Sequence, residues 1–245
     1  MSDRQKIMLL TGASRGIGHA TVMKFAACGW RVLTVSRQPF DPRCPWEGGR
    51  ANHVQLDLSD IAAVQAHLPA ILAMTGGKLD ALINNAGISP KLAGGSKPSS
   101  FDLNVTEWLH VFNVNFFAAL VMTQGLRDAL VATKGTIINI SSIAGSRVHP
   151  FASAAYATSK AALSALTREL ASDLGPTGVR VNAVAPGEIE TSILSAGTAE
   201  MVEREIPMRR LGQTKEVADL LYFLCSDDAT YITGSEIQIN GGQTV

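Results

Sequence analysis

Three cysteines in 245 residues, Cys28, Cys44 and Cys225, are odd in number and form no Cys-x-x-Cys pair. This excludes a disulfide framework and a cysteine-built metal centre, and suits reduced thiols in a cytosol. No metal site is read elsewhere. Neither sign of charge dominates, since 21 basic residues balance 21 acidic ones. A field that would draw nucleic acid or an anionic membrane is therefore not expected, and a small-molecule partner is. Long apolar runs are missing as well. Met1 to Lys6 is polar, the run after it is too short for a signal-peptide core, and no stretch is read as long enough to span a bilayer. The expectation is a soluble cytoplasmic protein. Aromatic residues make up only 6%, yet hydrophobic residues reach 46%, enough for one large core. One α/β domain over residues 1–245 is the expected organisation.

What is present begins with TGASRGIG, Thr11 to Gly18, between the apolar run Ile7 to Leu10 and an amphipathic run from Ile17. It reads as strand, glycine turn, helix. Gly12 takes the bend, Gly16 lets backbone approach a ligand and Gly18 lets helix pack on strand. The free N–H groups opening the helix, near Ser14, Arg15 and Ile17, attract an anion such as a dinucleotide pyrophosphate. The helix should stop at Gly29, and Arg31 to Ser36 is the second strand. The residue ending such a strand faces the adenosine ribose, where a carboxylate would select NAD. Here Ser36 leaves room for a 2′-phosphate, and Arg37 and Arg15 offer donors to grip it, which favours NADP(H) over NAD(H). The competing reading is that both arginines are solvated surface charges.

Residues 38–52, QPFDPRCPWEGGRAN, carry three prolines and a Gly-Gly pair, so a loop is expected in place of a crossover helix. His53 to Leu56 is a third strand ending at Asp57. Its carboxylate, beside Leu58, accepts from an adenine amino group or caps the next helix. Ile61 to Met74 is mostly helical, with Pro69 splitting or restarting it. Asp80 to Asn84 is the fourth strand; Asn84 knits strands, while Asn85, Ala86 and Gly87 let backbone lie against a cofactor. Ile88 to Leu103 is a rim loop whose Lys91 and Lys97 read as surface charges. Asn104 and Glu107 form a capping box opening a helix to about Val131. Its apolar residues exceed one stripe, so one face should meet the sheet and another a second subunit. Asn113 and Asn115 need partners within it.

Thr136 to Ile140 is the fifth strand, with Ser141 and Ser142 at its C-terminal end, where parallel sheets bind ligands. Ala154 to Leu174 is a helix on which Tyr156 and Lys160 share one face, so the ammonium should lower the phenol's pKa. Val179 to Ala185 is the sixth strand, followed by Pro186-Gly187. A substrate lid is expected over 192–208, a last helix from Gln213 to Cys225, and an edge strand from Ser235 to Asn240. His149, Phe151 and Glu188 fall near the pocket mouth.

Taken in order, TGASRGIG, NNAG, Asn115, Ser142, YATSK and the Pro186-Gly187 turn resemble the short-chain dehydrogenase/reductase family over nearly the whole chain. The resemblance implies a doubly wound, Rossmann-type sheet of seven parallel strands in a homotetramer or dimer. It also implies hydride transfer between NADP(H) and a ketone or secondary alcohol. Tyr156 matches the general acid or base, Ser142 the residue polarising the carbonyl, with Ser141 in reserve. Lys160 matches the ribose-binding lysine, and Asn115 the residue holding a relay water. Ile189 and Thr191 match contacts to the nicotinamide carboxamide. A dinucleotide-binding protein without chemistry is the rival from another class, and it needs neither Ser142 nor Tyr156.

Overall fold

Short β-branched and leucine-rich runs, buried on both faces in all but the two edge strands, give the central sheet of the computed structural model, which describes residues 4–42, 44, 48–93, 95–190 and 198–245. In chain order these are β1 (Ile7–Thr11), β2 (Arg31–Ser36), β3 (His53–Gln55), β4 (Ala81–Asn84), β5 (Thr136–Ile140) and β6 (Arg180–Pro186). A separate two-stranded piece, β7 (Ile189–Glu190) with β8 (Gly212–Gln213), was not read from the sequence. The last strand is β9 (Glu236–Ile239). The main sheet runs β3-β2-β1-β4-β5-β6-β9 and every pair is parallel, so the seven-stranded expectation holds and β9 is an edge.

The helices are α1 (Gly16–Ala27), α2 (Ile61–Thr75), α3 (Val105–Phe112), α4 (Ala118–Val131), α5 (Ala154–Leu174), α6 (Thr198–Glu205) and α7 (Thr214–Leu224). One sheet face is covered by Val64 and Ile71 of α2, Met122 and Leu126 of α4, and Leu174 of α5. The other is covered by Val22 and Phe25 of α1 and Val217 and Leu221 of α7. The fold is therefore doubly wound. Strand order reverses between β1 and β4, and the crevice at their C-terminal ends is where such sheets bind ligands.

Four differences from the sequence reading have physical causes. Pro69 does not split α2: it sits inside an unbroken helix, exposed, where the unbonded carbonyl four residues earlier can turn to water. Buried Val64, Ile71 and Thr75 hold that helix on both sides of the proline. Residues 38–52 lack the crossover helix as expected, but Gly49–Asn52 form a single 3₁₀ turn; residues 43 and 45–47 lie outside the described residues. The long helix read from Asn104 has the predicted capping box, yet a π turn, Asn113–Phe117, interrupts it between α3 and α4. That run, Val105–Val131, is also apolar and long enough to cross a bilayer, contrary to the sequence reading, but half of its most apolar window is buried within the fold.

Candidate active site

Gly12 turns with φ +76°, and a Cβ there would stand 2.9 Å from the Cα of Ala86. The NNAG segment braces this turn. Asn85 Nδ2 donates to the carbonyls of Thr11 (3.0 Å) and Gly12 (2.9 Å), while Thr11 Oγ1 accepts from the N–H groups of Asn85 and Ala86, each at 3.1 Å. Asn85 thus serves the turn with its side chain. Asn84 knits strands, donating to Asn139 Oδ1 at 2.8 Å. Arg15 stands at the N-cap of α1 without a side-chain cap, and no acid occupies the first turn, so the N–H groups there suit an anion.

These elements wall a cavity of about 680 Å³, a size suited to an organic cofactor. Its lining includes Gly12, Ser14, Arg15, Gly16, Ile17, Gly18, Ser36, Arg37, Asp57, Leu58, Asn85, Ala86 and Gly87, as the sequence led one to expect. Gln38, Leu56, Ile88, His110 and Val114 also line it and were missed. Gln38, Leu56 and Ile88 directly adjoin residues that were singled out; His110 and Val114 reach the cavity from α3 and from the turn that follows it, a placement set by packing. Asp57 accepts from the N–H and hydroxyl of Ser59 (2.9 and 2.8 Å), bonds that hold its carboxyl below the usual range. Capping α2 falls to Asp60, which accepts from the Ala63 N–H. The glycine cradle and the open helix start fit a dinucleotide.

At the Gly87 end of the cavity stands a buried polar group. A Cβ on Gly87 would lie 3.2 Å from Lys160 Nζ. Lys160, 2% exposed, donates to the Ile140 carbonyl at 2.6 Å and lies 5.7 Å from the Tyr156 ring centre; burial pushes its pKa down to about 8. Ser142 caps a 3₁₀ turn, Ile143–Gly145, and its hydroxyl is near enough to Tyr156 to lower the phenol's pKa. The tyrosine corrects an expectation. Its pKa lies above the ordinary value because desolvation outweighs the effect of Ser142, while the ammonium faces the ring and a carbonyl. Ser141 is removed as a candidate: buried, it donates to the Val184 carbonyl at 3.0 Å.

Asn115 lies in the π turn. Its Oδ1 accepts from the Ile88 N–H (2.8 Å), and Nδ2 donates to the Ile88 carbonyl (3.0 Å) and to Ser159 Oγ (2.9 Å). The amide therefore ties the rim to the tyrosine helix, with both N–H groups used and one lone pair of Oδ1 left over. Asn113 donates to the Ser59 carbonyl, outside the site. Pro186 ends β6, Gly187 donates to the Ile239 carbonyl at 3.0 Å, and Ile189 is buried in β7; none of the three lines the cavity. Thr191 lies outside the described residues, as does 192–197 of the expected lid; of the remainder, α6 is helical. At the mouth, His149 Nε2 is 3.1 Å from Glu188 Oε1 and its Nδ1 accepts from the Phe151 N–H. Lys91 and Lys97 are more than surface charges, since they donate to the carbonyls of Phe151 and His149 and tie the rim loop down.

A family model described as enoyl-(acyl carrier protein) reductase matches residues 12–244. The chain belongs to the short-chain dehydrogenase/reductase family. Protein FixR of Bradyrhizobium diazoefficiens is 53% identical over 240 residues, covering 97% of this chain and 86% of FixR. The 3-oxoacyl-[acyl-carrier-protein] reductase FabG of Aquifex aeolicus is 35% identical over 248 residues, covering 97% and 96%. A solved oxidoreductase of this family from Brucella ovis, in complex with a partially ordered NAD, has 51% identity and a TM-score of 0.83, covering 97% of this chain and 100% of its own. Other solved relatives hold NADH or NADP, at 29% and 30% identity with TM-scores of 0.84 and 0.85. An oxidoreductase using a nicotinamide cofactor and acting on CH–OH or C=O groups is thereby supported.

Proposed function

We propose that the protein moves a hydride between NADP(H) and a ketone or secondary alcohol, with Tyr156 as general acid or base. The observation that carries this reading is buried Lys160 set between the Tyr156 ring, 5.7 Å away, and Gly87 of the cavity wall, with Ser142 beside the tyrosine. When bound, the nicotinamide supplies or accepts the hydride. In the reducing direction the substrate oxygen gains negative charge, which Ser142 meets with a hydrogen bond while Tyr156 delivers a proton. Lys160, still mostly protonated at neutral pH with a pKa of about 8, holds the ribose and stabilises the tyrosinate. Asn115, with one Oδ1 lone pair unused, would hold the water through which Lys160 is reprotonated. Pro186, Gly187, Ile189 and Thr191 would border the nicotinamide, under a lid over 192–208 of the single domain.

Ser36, Arg37 and Arg15 at the cavity wall support NADP(H). One observation favours NAD(H) as a second reading: Ser36 Oγ donates to the Gln38 carbonyl at 2.9 Å, so it turns lone pairs, fit for a 2′-hydroxyl, to its other side. Scattered, odd cysteines support a cytoplasmic setting. Turnover on ketones, oxo-acyl thioesters, sugars and steroids with NADPH and with NADH tests the whole reading. Reduction of at least one class, faster with NADPH, is expected; binding of cofactor with no turnover anywhere would instead support the non-catalytic rival. Ser36→Asp should raise the NADPH dissociation constant and lower that of NADH, and unmodified protein preferring NADH would reverse the cofactor choice.

A further inference from the structure

β2 and β3 run parallel, with Thr34 opposite His53 and Ser36 opposite Gln55. Alternate residues of a strand share a face, so these four polar side chains stand together at the end of the sheet that borders the ribose side of the cavity. His53 Nδ1 lies 2.8 Å from Thr34 Oγ1 and its Nε2 lies 3.0 Å from the Gln38 carbonyl. A carbonyl only accepts, so Nε2 carries the proton, and in the neutral ring Nδ1 accepts from the threonine. The Gln38 carbonyl also accepts from Ser36 Oγ, and Gln55 Nε2 donates to the Arg37 carbonyl at 3.2 Å. Two successive carbonyls are thus held from β3, and the Arg37 side chain leaves the backbone just before the first of them, after a Ser36 carbonyl that accepts from the Leu56 N–H. The segment beyond needs such a hold: residues 38–52 contain three prolines, and a single 3₁₀ turn is their only helical element among the described residues.

We propose that His53 is a positioning residue for cofactor choice: by holding the Gln38 carbonyl it fixes the backbone from which Arg37 reaches the ribose 2′ substituent, favouring the phosphorylated dinucleotide. The proposal rests on the NADP(H) reading above. A guanidinium carried on a loose segment must be ordered during binding, and that ordering weakens affinity; here β3 orders the segment during folding. Arg37 is placed for the task, lining the cavity near enough to Asp57 to help lower that carboxyl's pKa.

The test is fluorescence or calorimetric titration of the full chain with NADPH, NADH, 2′,5′-ADP and 5′-AMP. His53→Phe keeps a ring and removes both bonds. It should raise the dissociation constants of NADPH and 2′,5′-ADP about tenfold and leave NADH and 5′-AMP within about twofold. His53→Gln, whose amide can donate to the same carbonyl, should restore most of the loss. If His53→Phe folds poorly, Gln55→Ala at an exposed site decides, with a smaller shift of about threefold in the same pair. Equal shifts in all four ligands, or none, overturn the proposal. Unmodified protein that binds NADH more tightly refutes the NADP(H) reading by itself, whereas the change in ligand ratio on substitution still decides the role of His53.

Discussion

At the residue scale, half-buried Tyr156 and buried Lys160 carry the sharpest expectations. Tyr156→Phe removes only the hydroxyl, so kcat should fall roughly 10² to 10⁴-fold while NADPH affinity, read by titration, stays within about twofold. Near-normal turnover would remove Tyr156 as proton donor. Lys160 makes a different claim because its pKa is depressed, from 10.5 to about 8, by burial. Between those values the unfolded chain binds the proton more tightly than the folded one. Cofactor-free protein should therefore gain stability from this group as pH rises from about 8 to 10.5, and bear its full penalty below. The shift corresponds to about 3 kcal/mol at 1.36 kcal/mol per unit. Lys160→Met should lose this pH-dependent gain and be more stable at pH 7 by up to that amount, less the lost bond to Ile140. Thermal unfolding at pH 7 and pH 9.5 measures both, and a parent and variant with parallel pH profiles would contradict the depressed pKa. The same variant should lose activity and bind cofactor more weakly.

At the element scale, α2 tolerates a proline that local rules treat as a breaker. An exposed interior proline removes one helical bond, so Pro69→Ala should stabilise the protein by about 2 kcal/mol and leave turnover unchanged. Chemical denaturation checks this; a loss of stability would mean that Pro69 makes packing contacts that outweigh the missing bond. The π turn is the converse case. Nothing in the residue types NVNFF marks i→i+5 bonding, and it follows from what Asn115 must reach: the backbone of Ile88 on one side and Ser159 on the other.

At the scale of the whole molecule, Val105 (74% exposed), Leu109 (53%) and Phe117 (38%) leave an apolar strip on the side of the long helix turned from the sheet. We propose that this strip, with the tyrosine helix α5, joins copies of the chain into a tetramer or dimer. Light scattering at micromolar concentration should give a mass of two or four chains, and Leu109→Asp should shift it toward the monomer. A monomeric parent would dismiss the assembly.

The strand and helix sequence was legible because apolar runs and glycine or capping punctuation act locally: β2, β5 and α5 fall where the periodicity put them. Cavity-lining residues were legible where one task needs one residue type at one spacing, as in the glycine turn. Tertiary structure decided the rest. It turned Ser141 to the Val184 carbonyl and left Ser142 beside Tyr156. It assigned Asn85 to the glycine turn and gave the cap of α2 to Asp60. It also raised the tyrosine's pKa where sequence spacing argued for lowering it. These outcomes depend on which partner lies within hydrogen-bond reach and how much water is excluded, and both are fixed only when distant segments pack together.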